Sequence, residues 1–179
     1  GVGTGRDSVF VDFSDERLRE IGKNLGDKRK TNSEIFSAYP PKDTASWNIS
    51  NRRKDFQYDD KKVVEYAYRP FDNRWVIYDP IIRRDQRKVL ANMLKTNLSL
   101  IVCQQNSSGK FNHAFCTDKL SDESLVSNRT TERGFVFPTY LHSEVLGQEE
   151  QNLNLKPEFL SWFSSKYGVN IANEKNEKG

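Results

Sequence analysis

Apolar residues recur along this chain in short runs with two different periods. At 8–13, Val9, Val11 and Phe13 alternate with polar neighbours, the period of a half-buried strand. Ser14 then offers a side-chain cap, Asp15 and Glu16 suit a helix N-terminus, and Leu18, Ile21 and Leu25 follow at helical spacing up to Gly26. A second short helix is predicted at 32–39, ended by Pro40-Pro41, whereas 44–60 is polar and yields no assignment beyond Trp47 as an anchor. Val64, Tyr66 and Tyr68 share one face of a strand at 63–69, Asp72-Asn73 reads as a turn, and 74–78 as the hairpin partner. Residues 84–94 read as an amphipathic helix with Val89, Leu90, Met93 and Leu94 on its buried stripe. An apolar strand at 98–105, a Ser/Gly loop at 106–110 and a short strand at 111–116 follow, then a strand at 134–141 that Pro138 confines to a sheet edge or ends. The last helix, 157–167, turns Phe159, Leu160 and Phe163 inward and closes at Gly168. The pattern predicts one α+β domain with a mixed or mainly antiparallel sheet flanked by helices, the sheet holding 8–13, 63–69, 74–78 and 98–103.

Composition sharpens this only in part. Charged residues make up 30% and hydrophobic ones 35%, and 12% aromatics supply a real core, so a compact fold with a large solvated surface is expected. The net charge of +3, from 28 Lys and Arg against 25 Asp and Glu, is too mild to declare a nucleic-acid partner by itself. The basic residues are bunched at Lys28-Arg29-Lys30, at Arg52-Arg53-Lys54 and at Arg83-Arg84 with Arg87, each of which also fits a solvated face. Cys103 and Cys116 sit in apolar or aromatic contexts and read as buried free thiols of a reducing cytosol, with no signal peptide or membrane span, so a cytoplasmic location is expected. The chain begins without Met and ends in a polar tail at 171–179, which reads as a piece of a longer polypeptide whose domain occupies 1–170.

Candidate chemistry narrows the field by elimination. Gly1-Val2-Gly3-Thr4-Gly5 lacks the preceding strand and following helix of a dinucleotide fingerprint, and no phosphate-binding P-loop is present. His113 and His142 are not in an H-E-x-x-H helix, and with Cys103 and Cys116 they match no standard zinc spacing. Asp60-Lys61-Lys62 lacks the upstream acid of a nuclease site, and Asp79-Pro80-Ile81-Ile82 does not replace the Asn/Asp-Pro-Pro-Tyr/Phe motif of amino-methylating DNA methyltransferases. No catalysis, metal or cofactor is expected of this stretch itself.

Several stretches, in order, resemble the C-terminal specificity region of type ISP restriction–modification enzymes and related adenine-specific DNA methyltransferases. These are Gly1-Val2-Gly3-Thr4-Gly5-Arg6-Asp7 with Val9-Phe10, Tyr68-Arg69-Pro70-Phe71-Asp72-Asn73-Arg74-Trp75 with Tyr78, the helix-then-strand spacing of 87–105, Phe111-Asn112-His113, and 135–141. The chain departs from the family where it carries Gln104-Gln105 in place of Arg-Gln and Pro138-Thr139-Tyr140 in place of Pro-Leu-Tyr. The resemblance implies a target recognition domain for double-stranded DNA, tethered to a methyltransferase and a nuclease/translocase. S-adenosylmethionine, ATP and Mg are then expected for the parent enzyme and none for this fragment.

The residue chemistry is compatible with that reading. Arg pairs bidentately with guanine and Gln or Asn with adenine, and Gln104, Gln105 and Asn106 stand where an apolar strand meets a polar loop. Arg83, Arg84, Arg87, Ser107, Ser108 and Lys110 are the candidate phosphate contacts. Thr4, Arg6 and Asp7 form a candidate opening turn that equally well only braces the fold, and Asn128, Arg129 and Arg133 form a second polar loop. Arg69 either contacts DNA or only pairs with Asp72. The alternative role is a structural or coupling domain that packs on the methyltransferase without reading bases.

Overall fold

The computed structural model describes residues 1–40, 43–44, 47–105, 114–129, 132–145 and 148–169. Its α+β fold divides into two compact units, Gly1–Pro138 and Thr139–Gly179.

The first unit opens with a single helical turn, α1 (Asp7–Phe10), and a two-residue strand, β1 (Val11–Asp12). Helices α2 (Asp15–Gly26), α3 (Asn32–Ala38) and α4 (Ile49–Arg53) follow, then the hairpin β2 (Val63–Arg69) and β3 (Asp72–Ile77). A short helix α5 (Arg87–Leu90) runs into a 3-10 turn, and strands β4 (Ser99–Cys103), β5 (Ala114–Thr117), β6 (Leu120–Ser121) and β7 (Gly134–Pro138) complete the unit.

Local signals fix the starts of the first helices. Ser14 accepts the Arg17 backbone N–H at the start of α2, and Leu18, Ile21 and Leu25 are buried along its inner face. Thr31 and Glu34 close a reciprocal capping box on α3. Trp47 is 3% exposed, donates its Nε1–H to the Ile81 carbonyl at 3.0 Å and meets Phe10 edge-on at 6.3 Å, so it does anchor the polar stretch around it.

The predicted single sheet is in fact divided. β1-β3-β2-β6 form a mixed sheet in which β2 and β6 run parallel, while β5-β4-β7 form a separate antiparallel sheet. Of the expected strand at 98–103, Ser99–Cys103 forms β4, but it is not a neighbour of the hairpin. Residues 8–13 are not one strand: the Arg6 carbonyl accepts from both Val9 and Phe10 N–H and winds 7–10 into a turn of helix, leaving Phe13 70% exposed. The hairpin turns at Pro70-Phe71, with Phe71 in the left-handed region (φ 64°), and Asp72 and Asn73 already belong to β3. The helix expected at 84–94 begins only at Arg87, because the Arg84 backbone pairs with Gly3 in both directions and Gln86 takes a left-handed conformation. Leu90 and Met93 are buried as expected, whereas Val89 and Leu94 are exposed.

The second antiparallel sheet has two contrasting faces. Ser99, Ile101, Cys103 and Val136 point inward. Register places Leu100 beside Cys116 and Phe137, and Val102 beside Ala114 and Phe135, on the other face. There Leu100, Phe135 and Phe137 are 44–51% exposed, and Cys116 is exposed rather than buried, although both cysteines are free as expected. Val136 and Pro138 lie on β7, an edge strand, which tolerates the proline.

In the second unit, β8 (Tyr140–Val145) and β9 (Gln148–Leu153) form an antiparallel hairpin and α6 (Pro157–Tyr167) ends on Gly168 at φ 68°. Phe159 is 41% exposed and Leu160 and Phe163 are half-buried, so the inward stripe predicted for this helix is not a fully buried one.

Candidate nucleic-acid interface

The opening turn is held from both sides. Thr4, 1% exposed, donates its hydroxyl to the Asp7 carboxylate and accepts the Arg6 N–H at 3.2 Å. Tyr68 of β2 donates its hydroxyl to the other Asp7 oxygen at 2.9 Å. Arg6 lays its guanidinium 5.2 Å from the Trp47 ring centroid and donates to the Gly5 carbonyl. All three residues are thus built into the fold at this end of the chain.

Beside the turn lies a polar cluster that the sequence did not flag. Asp122 is buried and accepts from the Tyr66 hydroxyl at 2.5 Å, from Arg69 at 3.0 Å and from the Ser124 N–H at 2.7 Å. Burial pushes its carboxyl above the ordinary aspartate pKa, against the pull of Tyr66, the Ser124 N–H and Arg69. Burial, then the Asp122 charge, pushes the Tyr66 phenol well up. Arg69 therefore pairs with Asp122, not with Asp72, because Asp72 is taken by a bidentate bond from Arg74. The partner lies 53 positions away in the chain, a separation that leaves no local signal.

Glu123, next along, draws two of the candidate groups together. Arg84 places Nη1 at 2.9 and 2.8 Å from the two Glu123 oxygens, and Arg133 approaches the same carboxylate at 3.9 Å. These residues line a cavity of about 210 Å³ with Gln86, Val89 and Phe135. The strand register that pairs Cys103 with Gly134 puts Gln104 and Arg133 next in line at the same sheet end, and Gln104, Gln105 and Arg133 are all exposed. Arg87 pairs with Asp85 at 3.2 Å and keeps half of its side chain in solvent, while Arg83 is exposed above Gly5. Asn128 and Arg129 are exposed, with the Arg129 N–H donating to Ser127 Oγ. Asn106, Ser107, Ser108 and Lys110 lie outside the described residues, as does His113. The structure thus brings Arg84, Arg133, Gln104 and Gln105 to one end of the second sheet. Lys62, of the Asp60-Lys61-Lys62 run that does not read as a nuclease site, is paired with Asp79 at 2.8 Å. Among the described residues no three His, Cys, Asp or Glu side chains converge as metal ligands.

The model of one protein family, the type ISP C-terminal specificity domain, matches residues 1–176. The chain belongs to that family. No curated protein matches the chain. Solved structures similar to this specificity domain include a cryo-electron-microscopy DrdV–DNA complex, with a TM-score of 0.64 and 17% identity over 94% of the chain. They also include the ATP-dependent type ISP restriction–modification enzyme LlaBIII bound to DNA, with a TM-score of 0.65 and 21% identity over 91%. A third is a nuclease-deletion mutant of the type ISP enzyme LlaGI with a DNA substrate mimic, with a TM-score of 0.60 and 17% identity over 92%. At these identities the likeness establishes a shared fold. The specificity domain spans 17%, 11% and 14% of those three chains.

Proposed function

We propose that this specificity domain reads a sequence in double-stranded DNA on behalf of a longer restriction–modification polypeptide. In that polypeptide it positions an adenine methyltransferase and gates a nuclease/translocase. Membership of the specificity family over residues 1–176 carries the reading. The gathering of Gln104, Gln105 and Arg133 at one exposed sheet end supports it, since amide and guanidinium side chains supply the paired donors and acceptors that base edges require. In this reading Gln104 or Gln105 reads a base, Arg83 and Arg87 hold phosphates, and Arg84 does so only by sharing its charge with Glu123. S-adenosylmethionine, ATP and Mg serve the other domains of the polypeptide, and catalysis belongs to them.

The test is binding by the full polypeptide to cognate and scrambled duplexes. A Gln104→Ala, Gln105→Ala double variant is expected to lose about 1–3 kcal/mol on the cognate duplex and little on the scrambled one. Unchanged preference in that variant would remove these residues as readers. One observation favours the coupling role instead: the outward face of β5-β4-β7 is apolar across all three strands, which suits packing on another protein surface and not contact with a polyanion. If that role is the whole function, polar replacement of Leu100 and Phe137 uncouples the enzyme while the glutamine pair is dispensable.

A further inference from the structure

Most arginines of this domain are neutralised within it. Arg84 is closed on Glu123, Arg87 on Asp85, Arg29 on Asp27 and Arg74 on Asp72. One group of cations is treated differently. Lys28, Lys30, Arg53 and Lys54 make no ion pair with a carboxylate among the described residues. They come from two segments, the connection after α2 and the end of α4, which clasp each other through backbone carbonyls. Lys28 donates to the carbonyls of Arg53, Lys54 at 3.0 Å and Phe56 at 2.9 Å. In return Arg53, 6% exposed, donates to the carbonyls of Leu25 at 2.8 Å, Lys30 at 2.8 Å and Asp27, and to Asn32 Oδ1 at 3.0 Å.

Carbonyl partners fix the position of a cation without cancelling its charge. Lys30 is likewise held by a neutral group, the Asn24 amide oxygen. The clasp leaves a recess of about 290 Å³ lined by these four cations with Thr31, Asn32 and Ser50, and no carboxylate lines it. The nearby Glu34 is turned to the Thr31 N–H and hydroxyl, which, with Lys30 and Arg53, hold its carboxyl below the ordinary range. Fixed positive charge ringed by hydroxyl and amide groups, with the Glu34 and Asp27 carboxylates nearby but neither lining the recess, is the chemistry of a phosphodiester contact.

We propose that this recess seats a backbone phosphate of the duplex DNA and so supplies part of the sequence-independent affinity of the domain. The proposal rests on the DNA-reading function argued above and assigns the anchoring to residues outside the Gln104–Arg133 end. Lys28 and Arg53 hold the walls, while Lys30 and Lys54 supply the charge that meets the phosphate.

The experiment measures binding of the full polypeptide to cognate and scrambled duplexes at several salt concentrations. The Lys30→Ala, Lys54→Ala variant is compared with Lys61→Ala, an exposed lysine on another segment. Each lost phosphate contact lowers the slope of log K against log salt by about 0.9, so the double variant, which empties one phosphate seat, is expected to lose roughly one counterion, equally on both duplexes. Lys61→Ala should leave the slope unchanged. Lys54→Gln, which removes no internal hydrogen bond, should lower the slope by part of that amount and guards against an unfolding artefact in the double variant. Inorganic phosphate should compete no better than chloride at equal ionic strength. A double variant with the wild-type slope overturns the proposal and leaves DNA reading intact. An equal loss in Lys61→Ala, or strong competition by inorganic phosphate, overturns it too, the first pointing to net charge and the second to a small-anion site. A wild-type polypeptide that does not bind DNA removes both the proposal and the function on which it rests.

Discussion

Removing the guanidinium of Arg53 tests the clasp on which the basic recess is built. The side chain is 6% exposed and makes hydrogen bonds to four acceptors, three of them carbonyls at or just beyond the C-terminal end of α2. A hydrogen bond from a charged donor contributes about 1.5–3 kcal/mol, and a buried acceptor left without a partner costs a comparable amount. The four do not add in full, because carbonyls at a helix end regain water once the side chain is cut back. Arg53→Ala is therefore expected to cost about 3–4 kcal/mol, the range of a broken buried polar network. With an m-value of about 2 kcal/mol/M in urea, the unfolding midpoint should fall by roughly 1.5–2 M at unchanged m. Arg53→Lys should recover less than half of this, since an ammonium keeps the charge but not the fork that reaches Leu25, Asn32 and Lys30 together. Urea titration followed by circular dichroism reads both variants. A midpoint shift below roughly 0.5 M for Arg53→Ala would show that the clasp does not hold these segments.

One further prediction concerns the first unit. Phe71 is fully exposed and sits at φ 64°, a conformation that costs an ordinary L residue about 1–2 kcal/mol and that Asn accepts more readily. Phe71→Asn should raise stability by about 0.5–1 kcal/mol, and a loss instead would mean that the ring makes a contact the fold needs.

The parts of this fold that were legible in the sequence are those determined within a few residues. Helix α2 follows from Ser14, the acidic first turn and the 18–21–25 spacing, and the β2–β3 hairpin from its alternation. The misread parts depend on distant partners. Alternation at 8–13 looked like a strand, yet Thr4 and Tyr68 hold Asp7 so that the chain winds into a turn. The helix at 84–94 loses its first turn to a bridge between Arg84 and Gly3, far apart in sequence. The apolar run of β4 does not by itself say which face is covered, and only pairing with β5 and β7 shows that one face is open. The candidate site divides the same way. The Gln104-Gln105 pair and the basic runs are plain in the sequence. What closes Arg84 on Glu123, or brings Lys28 against Arg53 and Lys54 across some 25 positions, is tertiary and leaves no local trace.

The open face of β5-β4-β7 bears on how portable this specificity domain is. Leu100, Phe135 and Phe137 travel with the strands that carry the Gln104 end, since one face of each strand cannot be moved without the other. A graft that transfers the proposed reading residues to a foreign host therefore also transfers an apolar surface. It will stay soluble only where the host offers matching cover, or where those three side chains are exchanged for polar ones at the time of transfer. If the proposed readers are right, sequence choice in an engineered enzyme is thus tied to the compatibility of an apolar surface beside them.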